Sequence, residues 1–314
     1  MSADTTTQLS PSDGDFVRTA PASHAGADEW ETFIADAVAC VREHGIVILQ
    51  DSIPPAVVAG MLKDFSSTYG NYMQPGQKLY RRFQDDPKRA QIPVAPTGAL
   101  ANPLLFANPA VMRLVHHFMG PNAIIGEMGG VISHPGSQPQ YTHRDSGFLF
   151  GGLPVELDLP PPSLTITVPL IDVPLELGPT EYWPGSHLDI DPGALEAVQA
   201  VAPRRTPLRA GTLLFYDGRL IHRGGPNHSD TIRPMVYVAY QHPWYLERPG
   251  YEAKPQVRVT DAMLTQMAPE HRRLFDWALH LNRFDRLDKF LLRWASRLRA
   301  HVLDPIQRRR KGPA

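Results

Sequence analysis

The sequence predicts a mainly β protein with flanking α-helices, built around a barrel or jelly roll. Short runs of alternating apolar and polar residues recur in the second half of the chain, which is typical of half-buried strands. Glycine and proline separate these runs, and proline is abundant at 32 of 314 residues. Helical spacing of apolar residues is found nearer the two ends of the chain. These helices are therefore expected to pack outside the barrel.

The N-terminal region predicts a leader, a helix and a buried strand. Residues 1–27 are rich in Thr, Ser, Ala and Asp and are predicted to be a disordered leader. Apolar residues recur at helical spacing over residues 29–41, and Gly45 follows as a stop. The apolar run at residues 46–49 then predicts a short buried strand.

Two further helices are predicted before the strand-rich region. Pro54 and Pro55 are suited to open the first of them, because proline lacks the N–H that is unsatisfied there anyway. Residues 109–119 carry apolar side chains on one helical face and predict the second helix. Residues 71–108 are mixed and interrupted by proline, and no element is predicted there.

Strands dominate from residue 124 onward. Together with the helices that precede them, they predict one barrel domain at residues 28–260. A glycine- and proline-rich insertion at residues 146–162 carries several large apolar side chains. Such a loop could close over an apolar or amphipathic small molecule, or it could be an ordinary surface excursion between strands. The predicted strands lie at residues 124–125, 131–132, 164–170, 208–216 and 231–240.

Residues 261–314 predict a C-terminal helical extension with a basic tail. Apolar residues recur on one helical face over residues 286–302, and residues 282–314 contain ten basic and three acidic side chains. We favour docking of this helix on the barrel or in a dimer interface. Contact of its basic face with an anionic membrane surface is the less favoured alternative. The oligomeric state, monomer or homodimer, stays open.

Composition narrows the functional classes. The formal net charge of −1 gives no reason to expect a nucleic-acid partner. The single cysteine, Cys40, cannot form an intramolecular disulfide, and no signal peptide or membrane-spanning run is evident. We therefore expect a cytoplasmic protein with a small-molecule substrate.

The candidate site begins with a histidine and a carboxylate two residues apart. His143 and Asp145 would point to the same face of an extended segment, so both could reach one small cation. A second histidine, His222, follows a predicted strand far downstream. Two histidines and one carboxylate are the ligands of the facial triad of non-haem Fe(II) oxygenases, which leaves coordination positions open.

Further polar residues surround this triple in the sequence. Arg233 follows His222 on the next predicted strand, where its guanidinium fork could hold a dicarboxylate. Gln140 precedes His143 by three residues, so its amide could bond an acid on the metal. A turn-rich segment at residues 177–187 lies between the two metal stretches.

Together, these motifs resemble the phytanoyl-CoA dioxygenase family of Fe(II)- and 2-oxoglutarate-dependent oxygenases. The resemblance spans residues 30–245 and implies a double-stranded β-helix, a jelly-roll and cupin-like core. It rests on Gln140-x-x-His143-x-Asp145, on Gly178-Pro179-Thr180 with Pro184-Gly185-Ser186-His187, and on His222 with Arg233.

The resemblance also implies roles for single residues. His143, Asp145 and His222 would be catalytic metal ligands, while Arg233, Gln140 and Thr180 would contact 2-oxoglutarate. Family members often have a small hydroxyl residue two positions after the arginine, where this chain has Met235. His187 belongs to the turn motif and is interpreted as structural. Asp145 argues against halogenation, because related halogenases have a small residue in its place.

The chemistry implied by the resemblance is oxidation of an unactivated C–H bond of a small molecule, with hydroxylation as the expected outcome. Fe(II), 2-oxoglutarate and O2 would be consumed or bound, succinate and CO2 released, and ascorbate could serve as reductant in vitro. A role in secondary metabolism and a fatty-acyl-type substrate are both compatible. Two alternatives remain: a cupin-type metal dioxygenase or isomerase that does not use 2-oxoglutarate, and a non-catalytic ligand-binding barrel.

Overall fold

Two β-sheets face each other at the centre of the computed structural model, which describes residues 14–22, 25–74, 86–245 and 257–279. The larger sheet has the strand order β1-β2-β8-β5-β10-β4-β3, and the smaller has the order β7-β6-β9. Neighbouring strands are antiparallel except for β1 and β2, which are parallel. The strands are β1 (Val17–Thr19), β2 (Ile46–Gln50), β3 (Arg89–Pro93), β4 (Ile124–Ser133), β5 (Ser163–Pro169), β6 (Thr180–Tyr182), β7 (Arg204–Arg205), β8 (Leu213–Asp217), β9 (His222–Gly224) and β10 (Arg233–Gln241).

Helices cover the outer face of the larger sheet. Phe65 of the second helix packs on Gly130 of β4, and the carbonyl of Phe106 accepts a hydrogen bond from the Tyr240 hydroxyl of β10. These contacts place the N-terminal helices outside the β core, as predicted. The helices are α1 (Ala27–His44), α2 (Pro55–Tyr69), α3 (Pro103–Phe106), α4 (Pro109–Met119), α5 (Ala194–Ala197), α6 (Asp261–Thr265) and α7 (Pro269–Arg272). None of the described helices is both long and apolar enough to cross a membrane.

The two faces of the larger sheet differ in chemistry. On β5, Ile166 and Val168 point to the helices and are completely buried, whereas Thr165 and Thr167 point to the smaller sheet. Alternate residues of a strand face opposite sides, so this pattern follows directly from the sequence. Polar groups therefore line the space between the two sheets, and the apolar core lies between the larger sheet and the helices.

The predicted stop of the first helix has two structural reasons. Gly45 adopts a left-handed conformation with φ of 79°, and its N–H bonds the carbonyl of Val41. A Cβ at this position would also lie 2.6 Å from Nδ1 of His187. His187 itself reaches the carbonyl of Arg42 through Nε2 at 3.1 Å. It joins the turn segment to the end of α1, which is the structural role expected of it.

The prediction of a disordered leader over residues 1–27 is wrong for its described second half. Val17, Arg18 and Thr19 form β1, which pairs in parallel with β2 at the edge of the larger sheet. The physical reason is burial of Phe16, which is only 4% exposed and packs edge-on against Tyr182. A single anchored aromatic residue outweighs the polar composition around it.

The start of the predicted C-terminal extension belongs to the same hydrophobic core as the barrel. Leu274 and Phe275 are buried, and the carbonyl of Leu274 accepts a hydrogen bond from the N–H of Ile125 in β4. The indole of Trp277 donates to the carbonyl of Ile125 on the same strand. Residues 257–279 are therefore docked on the barrel. The helix predicted over residues 286–302 lies outside the described residues.

The segment at residues 146–162 is fastened at one internal point. The carboxylate of Glu156 is 1% exposed and accepts a hydrogen bond from the N–H of Phe150, while Arg219 donates to the carbonyl of Glu156 at 3.0 Å. Several large apolar side chains around this anchor point outward, and Phe150 and Leu153 are more than half exposed. Closure over a substrate stays a prediction.

Candidate metal centre

The two candidate histidine ligands are joined through their backbones. His143 and His222 form an isolated antiparallel bridge, with N–H to carbonyl distances of 3.1 and 3.0 Å. The bridge adds His143 to the edge of the smaller sheet beside β9. Within the predicted extended segment around His143 and Asp145, strand pairing is thus limited to this one position. It is nevertheless sufficient to bring the two imidazoles together, with ring centroids 4.4 Å apart.

Backbone carbonyls determine which nitrogen of each imidazole is available. Nδ1 of His143 lies 2.9 Å from the carbonyl of Tyr141, and Nδ1 of His222 lies 3.0 Å from the carbonyl of Leu220. A carbonyl can only accept a hydrogen bond, so Nδ1 carries the proton in each ring. Both Nε2 atoms then present a lone pair to the same space, as metal-binding histidines do.

Asp145 completes the cluster. Its Oδ1 lies 3.8 Å from Nε2 of His143 and 3.6 Å from Nε2 of His222. The three ligand atoms lie within 4.8 Å of one another, and no other such group is found in the described part of the chain. The carboxylate is held from its other side, where Oδ2 accepts a hydrogen bond of 2.9 Å from the Thr165 hydroxyl.

The electrostatics of the cluster favour metal binding over protonation. Burial, reinforced by the nearby His222, lowers the pKa of His143 to about 4. The imidazole is therefore neutral at physiological pH, which is the form that binds a metal. Two imidazoles and one carboxylate in this arrangement match the facial set that binds Fe(II) or a similar divalent ion.

Arg233 is completely enclosed at the start of β10. It is 1% exposed, its Nε has no hydrogen-bond partner among the described residues, and its Nη1 reaches the carbonyl of Leu177 only at 3.5 Å. Burial and the neighbouring Arg89 lower its pKa to about 9, and no described acidic side chain opposes this shift. A buried guanidinium without a counter-charge is costly, and its geometry suits a carboxylate ligand.

Arg89, which the sequence interpretation missed, lies beside Arg233. Arg89 of β3 and Arg233 of β10 both pair with Ser133 of β4, one from each side. Paired residues point to the same face, so the two guanidinium groups enter the space between the sheets together. Nη2 of Arg89 donates to the carbonyls of Gln138 and Gly225, but its Nε and Nη1 have no described partner.

The two other predicted cosubstrate contacts, Gln140 and Thr180, meet at Gly224 of β9. Thr180 of β6 pairs with Gly224 in the smaller sheet, and the side-chain oxygen of Gln140 accepts a hydrogen bond of 2.6 Å from the Gly224 N–H. A Cβ on Gly224 would lie 2.5 Å from that oxygen and 2.8 Å from Nη1 of Arg89. The structure thus brings Gln140, Thr180 and both arginines to one end of the site.

A chain of hydrogen bonds lies on the inner face of the larger sheet, between the two arginines and the metal cluster. Nε2 of Gln91 donates to the hydroxyl of Tyr237 at 2.9 Å, and that hydroxyl donates to Oε1 of Glu127 at 2.6 Å. Glu127 is level with Thr165, because both pair with Ala239. All three members of the chain are half-buried, so they face an accessible space near the metal cluster.

The comparisons with solved structures agree with this arrangement of strands. The epimerase SnoN from nogalamycin biosynthesis, described as non-haem and alpha-ketoglutarate-dependent, has a TM-score of 0.53 and 22% identity, covering 74% of this chain and 98% of that chain. AviO1 from Streptomyces viridochromogenes Tue57 has a TM-score of 0.53 and 19% identity, covering 68% and 96%. HygX from Streptomyces hygroscopicus, solved with nickel, 2-oxoglutarate and hygromycin B, has a TM-score of 0.50 and 17% identity, covering 67% and 88%.

These similarities confirm the predicted cupin-like jelly-roll core, and at such identities they show the fold alone. The family assignment comes from a separate match. The family model described as phytanoyl-CoA dioxygenase (PhyH) matches residues 41–235, which is more than half of the chain. That interval contains the His-Asp-His cluster and Arg233. The chain therefore belongs to the phytanoyl-CoA dioxygenase family.

Proposed function

We propose that this protein is an Fe(II)- and 2-oxoglutarate-dependent oxygenase that oxidises a C–H bond of a small molecule. The observation that carries the proposal is the pairing of two features in one space. A three-ligand cluster lies at the edge of the smaller sheet, and a buried arginine without a described counter-charge lies on the larger sheet, facing the same space between the sheets. A dicarboxylate that chelates a metal at one end needs both.

His143, Asp145 and His222 would hold the iron through Nε2, Oδ1 and Nε2. The ligand set passes a chemical test of fit, since the two imidazoles are oriented by nearby backbone carbonyls so that both Nε2 atoms face the same space. When bound, iron and 2-oxoglutarate would supply the oxidising chemistry with O2, and succinate and CO2 would be released. The protein's contribution is to bind, orient and keep bulk water away.

The arginine end would bind the carboxylate of 2-oxoglutarate that is remote from the metal. Arg233 offers a buried fork, and Arg89 offers Nε and Nη1 from the neighbouring edge of the sheet. Two like charges held close together destabilise each other, and a carboxylate between them would relieve both. Met235 cannot supply the hydroxyl contact that its position often provides in the family. Arg89 takes over that second contact in our proposal.

The substrate side of the site combines polar and apolar surfaces. The Gln91–Tyr237–Glu127 chain faces the space near the metal, and a carboxylate can accept several hydrogen bonds at once. Exposed apolar side chains of residues 146–162 follow Asp145 directly along the chain. An amphipathic small molecule fits this combination better than a purely apolar one. Hydroxylation is the expected outcome, although the fold also carries an epimerase, as the SnoN description states.

The test is anaerobic reconstitution with Fe(II), followed by addition of O2 and 2-oxoglutarate. We expect succinate to form even without a substrate, at a slow rate that depends on iron and on Arg233. A mass-spectrometric screen for products heavier by one oxygen atom would then identify the substrate. Metal binding without any 2-oxoglutarate binding or succinate would favour the cupin-type alternative. Failure to bind a divalent metal would favour the non-catalytic barrel.

A further inference from the structure

The two oxygens of Asp145 have different surroundings. Oδ1 faces both imidazoles, at 3.8 and 3.6 Å from their Nε2 atoms. Oδ2 is turned away from them and accepts the hydrogen bond from the Thr165 hydroxyl. The hydroxyl of Tyr216 lies near the same carboxylate, and burial together with the charge of that carboxylate raises the pKa of Tyr216. Asp145 is therefore held by the Thr165 hydroxyl, with Tyr216 beside it, before any metal is considered.

Both hydroxyl groups come from the rigid centre of the larger sheet. Thr165 of β5 and Tyr216 of β8 are directly paired, and both side chains are buried. Asp145 itself lies outside the strands, and the histidines are attached to the smaller sheet. The bond from Thr165, with Tyr216 beside it, thus holds the carboxylate from the opposite wall of the site. Tyr216 also packs its ring 4.9 Å from that of His222, so it contacts two of the three ligand residues.

We propose that Thr165 and Tyr216 form a carboxylate clamp that restricts Asp145 to a single metal-binding oxygen. The consequence follows from counting positions and rests on the proposed function. Three protein atoms on a six-coordinate metal leave three positions, which suffice for a chelating 2-oxoglutarate and one further ligand. If Asp145 rotated and bound through both oxygens, only two positions would remain. The clamp residues are positioning residues, because they act through Asp145.

Isosteric variants separate this role from simple packing. Thr165→Val and Tyr216→Phe remove the hydroxyl groups but keep the shape of each side chain. Thr167→Val is a matched control on the same strand and the same face. Its hydroxyl lies 3.4 Å from that of Tyr216 and is not a donor to Asp145. A general loss of polarity in this wall would affect all three variants, whereas loss of the clamp would affect only the first two.

The readout is Co(II) binding to the full-length protein after removal of metal, measured by calorimetry and by the visible ligand-field spectrum. We expect the Thr165→Val/Tyr216→Phe double variant to bind Co(II) about 10- to 100-fold more weakly, in line with other residues that orient metal ligands. Adding 2-oxoglutarate should change the wild-type spectrum, while the double variant should show a smaller change. Thr167→Val should match wild type in both measurements.

Several outcomes would overturn the clamp. One is a double variant whose Co(II) affinity and spectra match wild type, and another is an equal loss in Thr167→Val. If the double variant does not fold, as judged by circular dichroism, the two single variants carry the same prediction with smaller losses. A wild-type protein that binds Co(II) but shows no response to 2-oxoglutarate would contradict the proposed function instead. The Co(II) affinities of the variants and wild type would still show whether Thr165 and Tyr216 orient Asp145.

Discussion

Replacing Arg233 by methionine should have opposite effects on stability and on 2-oxoglutarate binding. Methionine fills a similar volume without a charge, so the change mainly removes the guanidinium. In the wild-type protein burial lowers the pKa of Arg233 to about 9, below its ordinary value above 12. The group is therefore charged at neutral pH in both the folded and the unfolded state. Its enclosure without a counter-charge from the described residues is a cost that the ligand-free protein bears.

The size of that cost can be estimated from the pKa. Each pKa unit corresponds to about 1.4 kcal/mol, so the lowered pKa sets an upper limit of roughly 5 kcal/mol on the destabilisation. The penalty is fully present below about pH 9 and fades as the pH rises towards the unfolded-state value. Replacing buried charges by apolar residues has stabilised other proteins by about 1–4 kcal/mol. We therefore expect ligand-free Arg233→Met to melt several degrees higher than wild type at pH 7, about 2–4 °C per kcal/mol for a protein of this size.

The free energy of 2-oxoglutarate binding that Arg233→Met loses should be larger than the free energy of unfolding that it gains. Truncating one partner of a buried charge pair costs about 2–5 kcal/mol, or roughly thirty- to several-thousand-fold in Kd. The assay is calorimetric titration of the Ni(II)-loaded protein with 2-oxoglutarate, accompanied by thermal melting with and without the ligand. Saturating 2-oxoglutarate should raise the melting temperature of wild type and leave that of Arg233→Met unchanged. Arg233→Lys should be intermediate, since lysine keeps the charge but not the planar fork.

The matched control is Arg209→Met. Arg209 is 61% exposed and forms an ion pair of 2.7 Å with Asp51 on the surface, so its loss should alter neither measurement appreciably. Metal content should equal that of wild type in every variant, because Arg233 does not contact the triad. Our reasoning would be refuted if Arg233→Met bound 2-oxoglutarate within threefold of wild type. It would also be refuted if the ligand-free variant were strongly destabilised, since Arg233 would then have a structural partner.

Three other predictions concern the metal ligands, Gly224 and the segment at residues 146–162. Replacing any one ligand of the triad by alanine should abolish stoichiometric metal binding and succinate formation while circular dichroism stays native-like; near-normal activity in one variant would exclude that residue as a ligand. Gly224→Ala should raise the KM for 2-oxoglutarate about tenfold or more without changing metal content, because the added Cβ would collide with Gln140 and Arg89. Residues 146–162 should be protected from limited proteolysis by substrate, and equal cleavage at saturation would make this segment an ordinary surface loop.

Most of the fold could be predicted because its strands and helices carry strong local patterns. The strand predicted at residues 164–170 is β5, and the helix predicted at residues 109–119 is α4. The triad could be predicted because ligand chemistry restricts the residue types, and the i, i+2 relation of His143 and Asp145 persists outside a regular strand. The cytoplasmic location stays a prediction, and the oligomeric state stays open.

Arg89 could not be predicted as a site residue because nothing local distinguishes a buried arginine from a solvated one. The signal that was available is the alternation in residues 89–94, where Ala90, Ile92 and Val94 are buried against the helices. That pattern predicts a strand with Arg89 on its opposite face. Its proximity to Arg233 depends on the register of two strands with β4 between them, which are far apart in sequence. Pairing of this kind is a property of the sheet and not of any segment.

The order of polar groups along the inner face of the larger sheet suits the two molecules that the proposed function requires, the cosubstrate and the substrate. β10 carries Arg233 at its start, and four residues later it carries Tyr237, whose hydroxyl bonds Glu127. The guanidinium end of this inward-facing row therefore gives way to the carboxyl group of Glu127, which the neighbouring strand β4 contributes. Under the proposed function, a dianionic cosubstrate would bind at the arginine end and hydrogen-bond donors of a substrate at the Glu127 end. Alternation places Arg233 and Tyr237 on the same inner face of β10, so under the proposed function a strand of nine residues would be enough to separate the cosubstrate end from the substrate end.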